Sequence, residues 1–248
     1  MDCIILAAGY ATRLYPLTLN NPKPLLTVRE KTILDWLVDD LEQSGEIDKY
    51  IVVSNSKFYE NFVSWADEKE IKEKITVVDD GTSTNETRLG AVADILFAQK
   101  KLGLKADLMV IAGDNVLDFS LCKFIEYYKS KKASCIMRYY EENYERCKKS
   151  GVLECDDSDT IISMEEKPEI PKTQWLAPPF YIYTKEDAMS IEEALNSGCG
   201  KDAPGSFPAW LCTKTKVYAM KMPGKRYGIG NIESYESVQK SYKGIINK

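Results

Sequence analysis

Not one of the 248 residues is a histidine. That absence removes Ser-His-Asp and Cys-His catalysis, His-ligated zinc and imidazole acid–base work near neutral pH. Any chemistry must rest on carboxylates, fixed cations and a hard metal ion. Long apolar runs are missing as well. Nothing approaches the roughly 20 residues that cross a bilayer, and no cleavable leader pattern opens the chain, so no membrane partner is expected and the cytoplasm is the default compartment. A basic excess is also missing: 33 Lys and Arg stand against 38 Asp and Glu, a net charge of −5. Nucleic acid is therefore not an expected partner, whereas a small phosphorylated ligand needs only a few local cations. The seven cysteines are odd in number, lack paired metal-ligand spacing, and read as reduced thiols that mostly fill the core. Without linkers, repeats or low-complexity tracts, one continuous domain over residues 1–248 is expected.

What is present begins at once. A short apolar run, Cys3 to Leu6, enters Ala7-Ala8-Gly9-Tyr10-Ala11-Thr12-Arg13-Leu14, and Pro16-Leu17-Thr18 and Pro22-Lys23-Pro24 follow. Small residues after a buried strand let backbone N–H groups approach an anion, and a following helix N-terminus would add its dipole. Arg13 and Lys23 add full positive charge. The segment is neither the glycine triplet of dinucleotide-binding folds nor a P-loop. Leu6, Ala7, Ala8, Gly9, Tyr10, Ala11, Thr12, Arg13 and Lys23 are candidates for holding a nucleoside triphosphate.

Further along, periodicity marks a helix from Ile33 to Leu41, strands at 50–53 and 75–78, a helix at 90–101 and a strand at 107–112. This alternation predicts an α/β fold, a Rossmann-like, mainly parallel mixed sheet flanked by helices, with ligands beyond the carboxyl ends of the strands. The loops at Ala7, Gly81 and Gly113 fall on that edge. From Ala133 the pattern changes to a strand at 134–140, a hairpin at 151–154 and 160–165, and a strand at 180–183, with a helix at 191–195. The expected partition is functional: 1–132 for the nucleotide and 133–248 for an acceptor.

The window from Leu6 to Pro24 resembles the signature of the sugar-phosphate nucleotidylyltransferases, which read roughly Leu-Ala-Ala-Gly-x-Gly-Thr-Arg-Leu-x-Pro-Leu-Thr and then Pro-Lys. Ala11 stands where that family commonly carries Gly. A second window, Gly151-Val152-Leu153 through Glu165-Glu166-Lys167-Pro168, resembles the family's acceptor-binding segment. The resemblance implies a nucleotidyltransferase, GT-A-like fold that joins an NTP, with a pyrimidine favoured, to a sugar 1-phosphate. It implies Arg13 on the leaving β/γ-phosphates, Lys23 on the α-phosphate, and Asp114, in Ala112-Gly113-Asp114-Asn115, as the Mg²⁺ ligand. Gly81 and Asn85 would meet base and ribose, and Gly113 would line the nucleotide. Glu166 would accept from sugar hydroxyls, Lys167 would hold the acceptor phosphate, and Gly151 would leave room for the ring.

Blander roles stand beside these. A carboxylate after a strand is by itself an ordinary turn residue, and Thr84 with Thr87, or Asn85 with Arg88, could simply cap the next helix. Two features depart from the family: Gly228 takes the place of a second metal-binding Asp, which Asn231 or Asp202 could replace, and the Asp202-Ala203-Pro204-Gly205 loop could shape acceptor choice. Two alternatives remain open, a cytidylyltransferase acting on a phosphorylated alcohol or amine such as phosphocholine, and a non-catalytic nucleotide-sensing module. A homo-oligomer is compatible with the sequence. Lys23, as an exposed cation, is expected to serve turnover more than folding.

Overall fold

The structure, a computed structural model, describes residues 1–247. The chain forms two compact units that interleave in sequence. Unit 1 comprises Met1–Arg88, Ala112–Lys123 and the chain from Pro223 onward; unit 2 comprises Leu89–Ile111 and Phe124–Met222.

In unit 1, strands β1 (Asp2–Leu6), β2 (Lys49–Ser54) and β3 (Ile75–Asp79) lie in that order and run parallel, with Leu6 opposite Val53 and Val53 opposite Val78. Parallel neighbours need crossovers; α1 (Ile33–Glu42) and α2 (Tyr59–Asp67) supply them. Ile4, Ile5, Ile51 and Val52 are wholly buried, as expected of strands covered on both faces. A capping box starts α1: the Asp35 N–H donates to Thr32 Oγ1 at 3.0 Å and the Thr32 N–H to Asp35 Oδ2 at 3.2 Å.

A second apolar cluster decides where the C-terminal segment belongs. Leu14, Leu26, Val28 and Ile33 pack with Val116, Ile229, Val238 and Tyr242, and the Tyr242 hydroxyl donates to the Leu117 carbonyl at 2.8 Å. A short ribbon reinforces this, Arg226–Tyr227 pairing antiparallel with Val116–Leu117. The compact units therefore do not divide at 132/133, because burying Ile229, Val238 and Tyr242 returns the last segment to unit 1.

Unit 2 holds α3 (Ala91–Leu102), all but the last residue of strand β4 (Leu108–Ala112), and strands β5 (Cys135–Tyr140), β6 (Gly151–Cys155), β7 (Ile161–Glu166), β8 (Trp175–Ala177), β9 (Phe180–Tyr183) and β10 (Tyr218–Lys221). Their order is β7-β6-β8-β5-β9-β4, and β10 also pairs with β5. Only β5 and β10 pair in parallel; the other pairs are antiparallel. The expected hairpin is β6–β7, with a register shift between Ile161 and Ser163. Glu166 lies opposite Gly151, which lies opposite Ala177. Strands and helices thus form the expected α/β class, a mixed sheet flanked by helices.

Candidate active site

The loop after β1 is held by its backbone. Ala7 N–H donates to Val53 O at 2.9 Å, Gly113 N–H to Leu6 O at 3.0 Å, and Asn55 Nδ2 to Ala8 O at 2.9 Å. Ala11 adopts φ 46°, ψ 42°, a left-handed conformation that costs a non-glycine residue about 1–2 kcal/mol. Thr18, wholly buried, donates its hydroxyl to Ala11 O at 2.8 Å and holds that conformation. No α-helix follows this loop, contrary to the expected dipole. Thr12–Leu14 and Lys23–Leu25 are single 3₁₀ turns, and Pro16, two residues past the first, lacks the N–H that would continue it as a helix. Positive charge at the site comes from side chains instead.

A cavity of about 230 Å³ opens within unit 1, lined by Leu6, Ala7, Gly9, Ala11, Arg13, Lys23 and Asp114 of the expected set. Leu14, Pro24, Ile229 and Gly230 complete the lining. Arg13 is exposed and has no hydrogen-bond or ion-pair partner among the described residues. Lys23 differs from expectation: its side chain is only 12% accessible, and Nζ lies 2.6 Å from Asp114 Oδ2. The 3₁₀ turn carrying Lys23 lies against the strand-end turn at Gly113, which turns the ammonium inward. A Cβ at Gly113 would stand 2.9 Å from Ile5 Cγ2 and 3.5 Å from Pro24 Cγ, so glycine there serves close packing.

Asp114 has further partners. Asn115 Nδ2 lies 3.3 Å from its Oδ1 and also donates to Ala112 O at 2.9 Å, while Arg226 Nη1 donates to Asn115 Oδ1 at 3.0 Å. Desolvation by the cavity walls pushes the Asp114 carboxyl up, but the Lys23 ammonium and then the Arg226 guanidinium outweigh it and hold the group below the usual carboxylate range. Arg226 was not singled out in the sequence; pairing of Arg226–Tyr227 with Val116–Leu117 brings it here.

Mg²⁺ characteristically takes one or two carboxylates together with phosphate oxygens and water. Among the described residues Asp114 is the one carboxylate on the cavity, and no group of three or more Cys, Asp or Glu could hold a metal ion. This donor set fits a metal ligated mostly by its substrate. Gly228 adds no ligand, and among the described residues nothing beyond its chain neighbours lies within 4 Å of where its Cβ would be. Asn231 Oδ1 instead accepts from Ser234 N–H at 2.9 Å as the cap of the C-terminal helix Ile232–Ser241.

Other expected residues are distributed differently. Tyr10 is buried, its ring 6.2 Å from that of Phe58, while Thr12 is exposed. Gly81 has φ 80° and donates its N–H to Asp79 Oδ1 at 2.8 Å. Thr84 pairs with Thr87, and Asn85 Oδ1 accepts from Arg88 Nη1 at 3.1 Å, yet neither pair caps α3. The first donors of α3 are taken by backbone: Ala91 N–H by Asp202 O at 3.0 Å and Val92 N–H by Lys201 O at 2.9 Å. Asp202 thus has a structural role through its carbonyl. In unit 2, burial raises the Glu166 carboxyl above its ordinary value while Lys167 pulls it down. Lys167 itself is left-handed, φ 51°, with its N–H donating to Ser150 O at 3.0 Å.

The model of the family described as nucleotidyl transferase matches residues 2–244. A Sulfolobus acidocaldarius protein provisionally named mannose-1-phosphate guanyltransferase is 30% identical over 196 residues, 77% of this chain and 52% of that protein. The bifunctional protein GlmU of Methanocaldococcus jannaschii is 29% identical over 231 residues, 93% of this chain and 51% of that protein. The chain spans about half the length of these curated relatives. Among solved structures, UDP-glucose pyrophosphorylase complexed with UDP-glucose superposes with a TM-score of 0.83 at 21% identity, covering 97% of both chains; the fold is shared.

Proposed function

The chain belongs to the nucleotidyl transferase family, and on that premise we propose that it joins an NTP to a sugar 1-phosphate, releasing pyrophosphate and an NDP-sugar. One observation carries the reading: Arg13, Lys23 and Asp114 line a single cavity beside a loop of small residues. An acceptor phosphate oxygen attacks the α-phosphorus, the bond to the β-phosphate bridging oxygen breaks, and pyrophosphate leaves. The acceptor phosphate is already ionised at neutral pH, so a chain without histidine lacks nothing this step needs. Catalysis is positioning and charge stabilisation.

Lys23 and Asp114 neutralise each other across their 2.6 Å ion pair. Lys23 meets the α-phosphate, where negative charge builds as the acceptor attacks, and Arg13 steadies the leaving β/γ-phosphates. Asp114 is the residue that would hold Mg²⁺, and the ion would supply neutralisation of phosphate charge. Arg226, through Asn115, keeps the Asp114 turn in place. On the acceptor side Glu166 accepts from sugar hydroxyls, Lys167 holds the acceptor phosphate, and Gly151 serves the ring by leaving space for the Glu166 carboxylate beside it. The partition at residue 132 is kept with one change, that residues 226–230 serve the nucleotide.

The UDP-glucose complex of a fold neighbour and the hydroxyl- and amide-rich segment Gly81–Arg88 support a pyrimidine nucleotide, so UTP and dTTP are the first donors to test. The decisive panel crosses four NTPs with glucose 1-phosphate, mannose 1-phosphate, N-acetylglucosamine 1-phosphate and phosphocholine, and measures pyrophosphate release with Mg²⁺. Release with a sugar 1-phosphate is expected. Release with phosphocholine alone would replace the acceptor class, and NTP binding without release from any pair would favour a sensor.

A further inference from the structure

Two glycines of unit 2, far apart in sequence, face the same oxygen atom. A Cβ on Gly205 would lie 2.1 Å from Glu166 Oε2 and 3.2 Å from its Cδ; a Cβ on Gly151 would lie 2.9 Å from that same Oε2. The other close atom in both cases is Met164 Cε, at 3.4 Å and 3.0 Å.

The backbone does not ask for glycine at either place. Gly205 has φ −72°, a conformation open to any residue, and Gly151 is a strand residue of β6 without a positive φ. The atoms a methyl group would meet are the free ends of flexible side chains, which could swing away without disturbing the fold. Gly90 shows the opposite case, with φ 103° and a Cβ position 2.6 Å from the backbone oxygen of Lys201. At Gly90 the fold needs glycine; at Gly151 and Gly205 it is the Glu166 carboxylate that needs the space.

That carboxylate is unusual in its own right. It lies over a row of minimal side chains, Gly151 and then Ala177 across β6 and β8, and has no hydrogen-bond donor among the described residues. Burial raises its pKa, and a carboxylate drawn partly out of water without donors is costly to keep. The loop that carries Gly205 is anchored independently, since Lys201 O and Asp202 O accept from the first two N–H groups of α3. Its approach to Glu166 is therefore set by backbone hydrogen bonds.

We infer that Gly205, together with Gly151, is a positioning residue that keeps the Glu166 carboxylate available to the hydroxyl donors of the acceptor sugar. The inference rests on the acceptor reading of Glu166 given above and extends it to the Asp202–Gly205 loop. It makes that loop a determinant of acceptor binding.

Gly205→Ala is the test, because its backbone conformation suits alanine and the lower entropy of the unfolded chain favours it. The melting temperature should hold, the acceptor KM should rise roughly tenfold or more through displacement of a charged hydrogen-bond acceptor, and the NTP KM should stay constant. In a Glu166→Asp background the shorter side chain clears the new methyl, so the same substitution should cost no more than about twofold. An unchanged acceptor KM, an equal cost in both backgrounds, or loss of folding would each overturn the inference. A second readout needs no acceptor: the ¹³C carboxyl titration of Glu166 should fall toward the ordinary glutamate value in Gly205→Ala, and an unmoved titration would overturn the positioning role. Absence of turnover by the unaltered protein with every acceptor would sink the functional reading while leaving that titration to decide this one.

Discussion

Lys23 and Asp114 each set what happens when the other is changed. Lys23→Ala should lower turnover by roughly 10²–10³, the scale for losing one donor aimed at developing charge, and the Asp114 carboxyl should titrate higher once its 2.6 Å partner is gone. Initial rates together with a ¹³C carboxyl titration check both effects; an unchanged rate would remove Lys23 from the site. Asp114 also ties stability to pH. Its folded pKa lies below the unfolded value, so its contribution is present above about pH 4 and is lost as pH falls through the folded value. Thermal melts of Asp114→Asn should therefore depend less on pH below about 4 than those of the unaltered chain. The same variant should need more Mg²⁺ for turnover, and an identical Mg²⁺ titration would contradict the ligand role. At this scale the residue types were legible: Arg13, Lys23 and Asp114 do line one cavity. The burial of Lys23 was not, because its partner is 91 positions away. Nor were Arg226, Ile229 and Gly230, which arrive only when the last segment packs into unit 1.

Elements show where local pattern suffices and where it fails. The apolar strands β1, β2 and β3 and the helices α1 and α3 stood out because burial makes their periodicity strong. β8, with three residues, and β10, with four, are too short and too mixed in polarity to show in a sequence. The start of α3 is the clearest failure of local reasoning. Thr84, Thr87, Asn85 and Arg88 have the chemistry of caps, yet they bond among themselves while carbonyls from residues 201 and 202 close the helix. This arrangement makes a sharp prediction for Gly90. A methyl group there meets backbone that cannot swing aside and a φ of 103° that strains any L-residue, so Gly90→Ala should destabilise the chain by about 2 kcal/mol or more. Urea denaturation checks this, and a stability within about 0.5 kcal/mol of the unaltered chain would contradict it. Gly90→Ala and Gly205→Ala thus form a pair, one failing in folding and the other in acceptor binding.

At the scale of the whole molecule, the absence of histidine and the net charge of −5 exclude much and select little; positive charge matters here only where the fold concentrates it. The family was legible because two separate windows each resemble it, whereas base and acceptor were not, since a methyl group or a hydroxyl is chosen by side-chain placement rather than by motif. Among the described residues no helix is long and apolar enough to cross a membrane. The central claim is that the cavity bearing Arg13, Lys23 and Asp114 binds a triphosphate for transfer to a sugar 1-phosphate. ³¹P NMR of the unaltered chain with Mg²⁺, UTP and the acceptor selected by the panel tests it directly. The account predicts paired diphosphate resonances of an NDP-sugar growing in step with pyrophosphate, and their loss with Lys23→Ala. Persistence of the UTP and sugar-phosphate resonances alone, with UTP demonstrably bound, would contradict it.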